Sequence, residues 1–204
     1  IKTVSDVIKR PDFTSENRPS RQEAEKAVET LLRYIGENPE RTGLIETPAR
    51  VVRSYDEFFK GYELDARDEL RKTFEDITGF DDMVLVKAID FVSHCEHHMV
   101  PIIGKAHVAY WPNENVVGIS KLARVVEIFA KRLVSQENMT RGISEAIDDA
   151  LAPKGVAVMI DANHQCMSTR GINKAASSTV TMHFTGLFKE DRDAQRRFMD
   201  MITA

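Results

Sequence analysis

Residues 83–92, MVLVKAIDFV, and 103–111, IGKAHVAYW, decide the fold class. Both runs are short and rich in β-branched and apolar side chains, and the connection between them carries Pro101 and Gly104, so they read as two strands. Downstream the period changes. Ser120 is placed to cap a helical stripe of Leu122, Val125, Val126, Phe129 and Leu133. Ser135 is placed to cap a second, of Met139, Ile143, Ile147 and Leu151, which Pro153 and Gly155 end. Val156 to Ala162 and Ser178 to Phe188 return to strand composition, and Asp191 to Met201 is again helical.

Upstream, Ala24, Ala27, Val28, Leu31, Leu32 and Ile35 recur at three- and four-residue steps between Ser20 and Gly36, which predicts an amphipathic helix. Thr47-Pro48 predicts a cap and first turn for a second helix running to Gly61. The order ααββααββα lacks the βαβ alternation of a doubly wound sheet, so the expectation is an α+β fold built from antiparallel hairpins. Residues 1–19 read as a polar arm, 20–61 as N-terminal helices and 62–204 as the main domain, entered through a charged, mobile-looking stretch over 62–78.

The chain has 204 residues, and 28 Lys and Arg stand against 32 Asp and Glu, a net charge of −4. That balance gives no global electrostatic attraction to nucleic acid or anionic membranes. No run approaches the ~18 consecutive apolar residues of a membrane helix, and the first residues lack the apolar core of a signal peptide, so a cytoplasmic protein is expected. Only two cysteines occur, Cys95 and Cys166. They are too few for a disulfide scaffold, and both lie beside histidine.

The chemistry-bearing residues crowd two strand ends, Cys95-Glu96-His97-His98 and His164-Gln165-Cys166. Cys95 and His98, two residues apart, can turn toward one point, and Cys166 supplies a second soft ligand from the other hairpin. Three protein ligands suit a catalytic zinc with an open position, whereas a fourth ligand from His97 or His164 would close a structural site. In the catalytic reading His97 and His164 flank the metal as proton carriers. His94, His107 and His183 are taken as sheet residues, with His107 in solvent or a hydrogen-bonded niche. Lys121 falls in the first turn of a predicted helix, where free N–H groups favour anions.

The series Ser93-x-Cys-Glu-His-His-x-Val-Pro101, Gly104-Lys-Ala-His-Val-Ala-Tyr110, Gly118-Ile-Ser-Lys-Leu-Ala-Arg124, Gln136-Glu-Asn-Met-Thr140 and Ala162-x-His-x-Cys-Met-x-x-Arg-Gly171 resembles GTP cyclohydrolase I. The resemblance runs from Arg41 to Phe188. It implies a tunnelling fold, with antiparallel hairpins and helices packed on one face, in which subunits extend one another's sheets into a homodecamer of two stacked rings. It implies conversion of GTP to 7,8-dihydroneopterin triphosphate and formate, the first step of pterin and tetrahydrofolate biosynthesis, with zinc on Cys95, His98 and Cys166 and with His97 and His164 moving protons. By the same resemblance Gln136 and Glu137 face the guanine, Ser120 the ribose, and Lys121, Arg124, Arg170 and Lys72 the triphosphate. Asp161, Ile102, Ser135, His94 and Thr42 depart from the residues common in that family, but none is a proposed ligand or proton carrier. A pterin synthase or the nitrile reductase of queuosine synthesis would share the architecture. The pairing of Cys-Glu-His-His with His-x-Cys favours the cyclohydrolase.

Overall fold

The computed structural model describes residues 18–71, 73–74, 80–113 and 116–204. The arm expected over 1–19 lies outside these residues except for Arg18 and Pro19. Helix α1 (Arg21–Tyr34) begins with a capping box: the Ser20 hydroxyl accepts from the Glu23 N–H, and the Glu23 carboxylate accepts from the Ser20 N–H. Helix α2 (Thr47–Phe58) begins at the residue expected to cap it: Glu46 holds the cap position and Thr47 is already helical. Proline suits any site in the first turn, where its missing N–H has no partner to lose, so Pro48 marked the turn and not the cap residue.

The described part of 62–78 forms regular elements. Lys60–Glu63 form a 3-10 turn, and α3 (Ala66–Leu70) follows with Asp65 accepting from the Arg67 N–H as its cap. Ala66 and Leu70, four residues apart on one helix face, are both buried, an apolar pair that the surrounding charges hid. Strand β1 (Thr73–Phe74) comes next, then β2 (Val84–Cys95), β3 (Pro101–Trp111) and β4 (Val116–Val117), which pairs with β1. After these come α4 (Ile119–Ala130), β5 (Leu133–Val134), α5 (Gln136–Leu151), β6 (Gly155–His164) and α6 (Gln165–Ser168). Strand β7 (Thr179–Phe184) and helices α7 (Gly186–Glu190) and α8 (Arg192–Thr203) complete the chain.

The main sheet has the order β5-β2-β3-β6-β7, antiparallel throughout except for the short β5, which runs parallel to β2 at His94 and Cys95. The turn between β2 and β3 is Glu96–Val100, and Pro101 and Gly104, expected in that turn, lie inside β3. Gly104 is demanded by the sheet itself: a Cβ there would lie 2.3 Å from the Asp161 carbonyl oxygen of β6. Helix α4 starts at Ile119 with Gly118 as its cap, so Ser120 sits in the first turn instead of capping it. Ser135 does cap α5, accepting from the Asn138 N–H. The strand expected to reach Phe188 stops at Phe184, where the chain turns through Thr185 into α7.

Helices α4 and α5 cover one face of the sheet. Leu122, Val125, Val126 and Phe129 of α4 and Met139, Ile143, Ile147 and Leu151 of α5 are buried with Ala106, Val108, Val156, Val158 and Ile160. Each such aliphatic or aromatic side chain contributes about 1.5–3 kcal/mol on burial. Helices α7 and α8 close the opposite face at one end, where Phe188, Ala194 and Phe198 pack with Met83, Ala109 and Ala157. His94, His107 and His183 are sheet residues as expected, but each has a buried Nδ1 with no hydrogen-bond partner among the described residues. His107 is half-buried, with its Nδ1 on the buried side. The two N-terminal helices pack on each other and bury no residue completely.

Candidate metal centre and active site

Strand β2 ends at Cys95, and the following turn is folded back on it: the Cys95 N–H donates to Val100 O, and the Met99 N–H to Cys95 O. Met99 takes a left-handed φ of 56° to close this turn. The turn brings His98 over the strand end, with Nδ1 4.0 Å from Cys95 Sγ. Strand β6, paired with β3 so that Ile102 faces His164, ends beside it and passes into the single turn α6 that carries Cys166. The donor atoms of Cys95, His98 and Cys166 all lie within 4.8 Å of one another.

This donor set fits a soft divalent ion. Burial, together with the neighbouring Cys95 sulfur, pushes the Cys166 thiol pKa up, because two adjacent thiolates in a partly buried site repel. A cation between the sulfurs would reverse that penalty. Two thiols and an imidazole are ligands for zinc-like ions and poor ones for magnesium or calcium, which prefer oxygen. On its outer side, His98 Nε2 lies 3.0 Å from Arg170 Nη1, so Arg170, expected on the triphosphate, stands beside the metal centre.

His164 closes β6 and is fixed by Gln136. Gln136 is 2% exposed at the first position of α5, and its amide nitrogen donates to Ile160 O, Thr179 O and Thr181 Oγ1. Carbonyl oxygens cannot donate, so the amide oxygen must be the atom turned toward His164 Nε2, 2.7 Å away. His164 Nε2 therefore donates, and Nδ1 is left as the basic nitrogen. Burial lowers the His164 pKa, with the neighbouring Glu137 carboxylate opposing the shift. Glu137 itself is exposed, on the same first turn of α5. His97, by contrast, projects outward with its side chain 72% exposed, 4.0 Å from Glu96.

Ser120, Lys121 and Arg124 are elsewhere. Ser120 and Lys121 lie in the first turn of α4 and Arg124 one turn further along; its twelve residues span about 18 Å. The far end of α4 leads into β5, which pairs with His94 and Cys95. One chain thus brings Cys95, His98, Cys166, His164, Gln136, Glu137 and Arg170 to one pole of α4 and Ser120, Lys121 and Arg124 to the other. Lys72 lies outside the described residues. Two features carried no sequence signal: the Thr179 and Thr181 groups behind Gln136, and Glu69 of α3, whose carboxylate meets Lys121 at 2.8 Å and Arg124 at 3.5 Å. Glu69 falls within the charged run, where one carboxylate looks like any other.

The GTP cyclohydrolase I family model matches residues 24–203. Proteins named GTP cyclohydrolase 1 are similar over nearly the whole chain. The one from Sinorhizobium fredii is 59% identical over 191 residues, covering 94% of this chain and 93% of the relative. The one from Maricaulis maris is 56% identical over 185 residues, covering 91% and 90%. The one from Hyphomonas neptunium is 57% identical over 194 residues, covering 95% and 93%. Among solved structures, that of the archaeosine synthase QueF-Like in the apo form aligns with 51% of this chain and 93% of its own, at 18% identity and a TM-score of 0.43. With its curled antiparallel sheet, its paired hairpins and its Cys-His-Cys donor set, the chain belongs to the GTP cyclohydrolase I family.

Proposed function

We propose that the protein hydrolyses GTP to 7,8-dihydroneopterin triphosphate and formate, the entry reaction of pterin and tetrahydrofolate biosynthesis, in the cytoplasm. The observation that carries this reading is the convergence of Cys95, His98 and Cys166 beside an oriented His164. Zinc held by these three residues would act as a Lewis acid and bring the pKa of a water toward neutrality, supplying the nucleophile that C8 of guanine requires. His164, held through Nε2 by Gln136, takes up and returns protons at Nδ1 as the C8–N9 bond opens and during the later ribose rearrangement. His97, exposed at the rim, exchanges protons with solvent. Two waters enter, one for each C8–N bond broken, and one is lost on ring closure.

Glu137 accepts from N1–H and the 2-amino group of guanine, a two-point contact that adenine lacks. Ser120 meets the ribose, and Lys121, Arg124, Arg170 and Lys72 take the triphosphate. The ~18 Å between the two poles of α4 favours a site shared between chains. So do the outer edge of β7 and the side of β2 turned away from β3, which over residues 84–93 has no strand partner among the described residues. Leu31, Tyr34, Ile35 and Ile45 around α1 and α2 are large, apolar and exposed, as expected of an assembly surface. These features support assembly through the sheet edges and residues 20–61, with residues 62–204 as the catalytic domain; the homodecamer of two five-membered rings is what the family resemblance implies. No helix among the described residues is long and apolar enough to cross a membrane.

The test is direct. Zinc-loaded protein incubated with GTP should release one formate per pterin formed, with oxidised pterin fluorescence rising in step, and should elute at the mass of ten chains. Fully metal-loaded protein that releases no formate would overturn the reading.

A further inference from the structure

We propose that Glu69 is an internal competitor of the substrate's triphosphate: its carboxylate occupies Lys121 and Arg124 until the nucleotide displaces it. The inference rests on the reading of Lys121 and Arg124 as triphosphate ligands and adds the group they hold in its absence. Both cations converge on one oxygen, Glu69 Oε2, Lys121 Nζ at 2.8 Å and Arg124 Nη1 at 3.5 Å. The Lys121 side chain is only 16% exposed and that of Glu69 29%, so this pair is less screened than an ordinary surface ion pair.

Glu69 is held there by its own element. Ala66 and Leu70 anchor α3 in the core and Asp65 caps it, so the backbone beneath the carboxylate is fastened on both sides. Withdrawal rotates the Glu69 side chain and leaves α3 in place. No side chain caps α4 at Gly118, so the helix start under Lys121 adds its dipole to the attraction for an anion. Glu69 brings one charge and two oxygens, whereas the terminal phosphate alone carries about −1.5 to −2 and three oxygens. The triphosphate therefore wins the cations, at an affinity reduced by the carboxylate it expels. The product retains the triphosphate, so the same carboxylate, returning, favours product release over retention.

The test uses the zinc-loaded full-length protein and titration calorimetry with inorganic tripolyphosphate, which reads the cationic subsite without turnover. Glu69→Gln should bind tripolyphosphate roughly fivefold tighter than wild type, the scale of a part-exposed ion pair. The GTP KM should fall by a similar factor, and binding of guanosine, which has no phosphate, should not change. Glu69→Asp, which keeps the charge but shortens the reach, should lie between the two, and it decides the matter if the Gln variant does not fold. Unchanged or weaker tripolyphosphate binding in the folded variant would overturn the proposal and make Glu69 a support for Lys121. Lys121→Ala separates the underlying reading: if that variant binds tripolyphosphate like wild type, Lys121 is not a phosphate ligand and the proposal fails with the reading beneath it.

Discussion

The two poles of α4 are built in opposite ways. At the metal pole, the C-terminal ends of β2 and β6, a reversed turn and the buried amide of Gln136 hold Cys95, His98, Cys166 and His164. At the other pole, Ser120 and Arg124 are exposed, and the cations are held by a neighbouring carboxylate instead of by the sheet. Chemistry that breaks a C–N bond needs atoms placed to within fractions of an ångström, whereas holding a flexible triphosphate needs charge more than geometry. The difference predicts steep losses from changes at the metal pole and graded ones at the phosphate pole.

The largest loss should come from the ligands. Cys95→Ser, His98→Ala and Cys166→Ser should each abolish stoichiometric zinc and lower turnover by at least about 10³-fold, since a Lewis acid is worth several kcal/mol here. Elemental analysis and formate release check this, and full metal content in all three would break the assignment. His164→Ala should keep zinc and GTP binding while turnover falls about 10²- to 10⁴-fold, the range for a lost general acid–base. His97→Ala, at the exposed rim, should cost less. Product formation near the wild-type rate in His164→Ala would remove the proton-transfer role from the metal pole.

Glu137 sharpens the comparison, because it sits at the metal pole yet is the residue proposed to read the guanine. A site built around hydrogen bonds can reject an analogue lacking them by roughly 10⁴-fold, so ATP should be a negligible substrate and Glu137→Gln should narrow the gap between GTP and ATP. Retained discrimination would assign guanine reading to backbone groups.

The smallest effect is on stability. Burial lowers the pKa of His94, His107 and His183, so the native state resists protonation that the unfolded chain accepts near pH 6.5. The unfolded state then binds more protons below that value, and stability should be complete above about pH 6.5 and decline as the pH falls through it. Thermal melts from pH 8 to 5 should show the decline, and His183→Gln should flatten it. A melting temperature that rises on acidification would contradict the assignment of these rings as neutral.

The metal pole was legible in the sequence because its groups are local: Cys95 and His98 share one turn, and Cys166 follows its strand by two residues. Helices α4 and α5 were legible through their apolar periods, whose members are buried together except Leu133, which lies in β5. The cap of α4 was misplaced because Gly118 caps through its backbone and leaves no side-chain mark. The order in 62–71 was missed because two buried residues, Ala66 and Leu70, are outnumbered by charges that face water. Long-range pairings left no trace: nothing in the spacing of Gln136 and His164, or of Glu69 and Lys121, says that the fold brings them into contact.

The separation of the poles makes the sharing of one site between chains the claim most open to a single measurement. Cys95→Ser lacks a working metal pole and Lys121→Ala a working phosphate pole, so each alone should be nearly inactive. Co-expressed under different tags and purified through both, the mixed assembly contains interfaces where an intact metal pole meets an intact phosphate pole of a neighbouring chain. Formate release should then recover to a substantial fraction of wild type. Mixed assemblies no more active than the two variants measured separately would show that each chain works with its own two poles, and the shared site would be wrong.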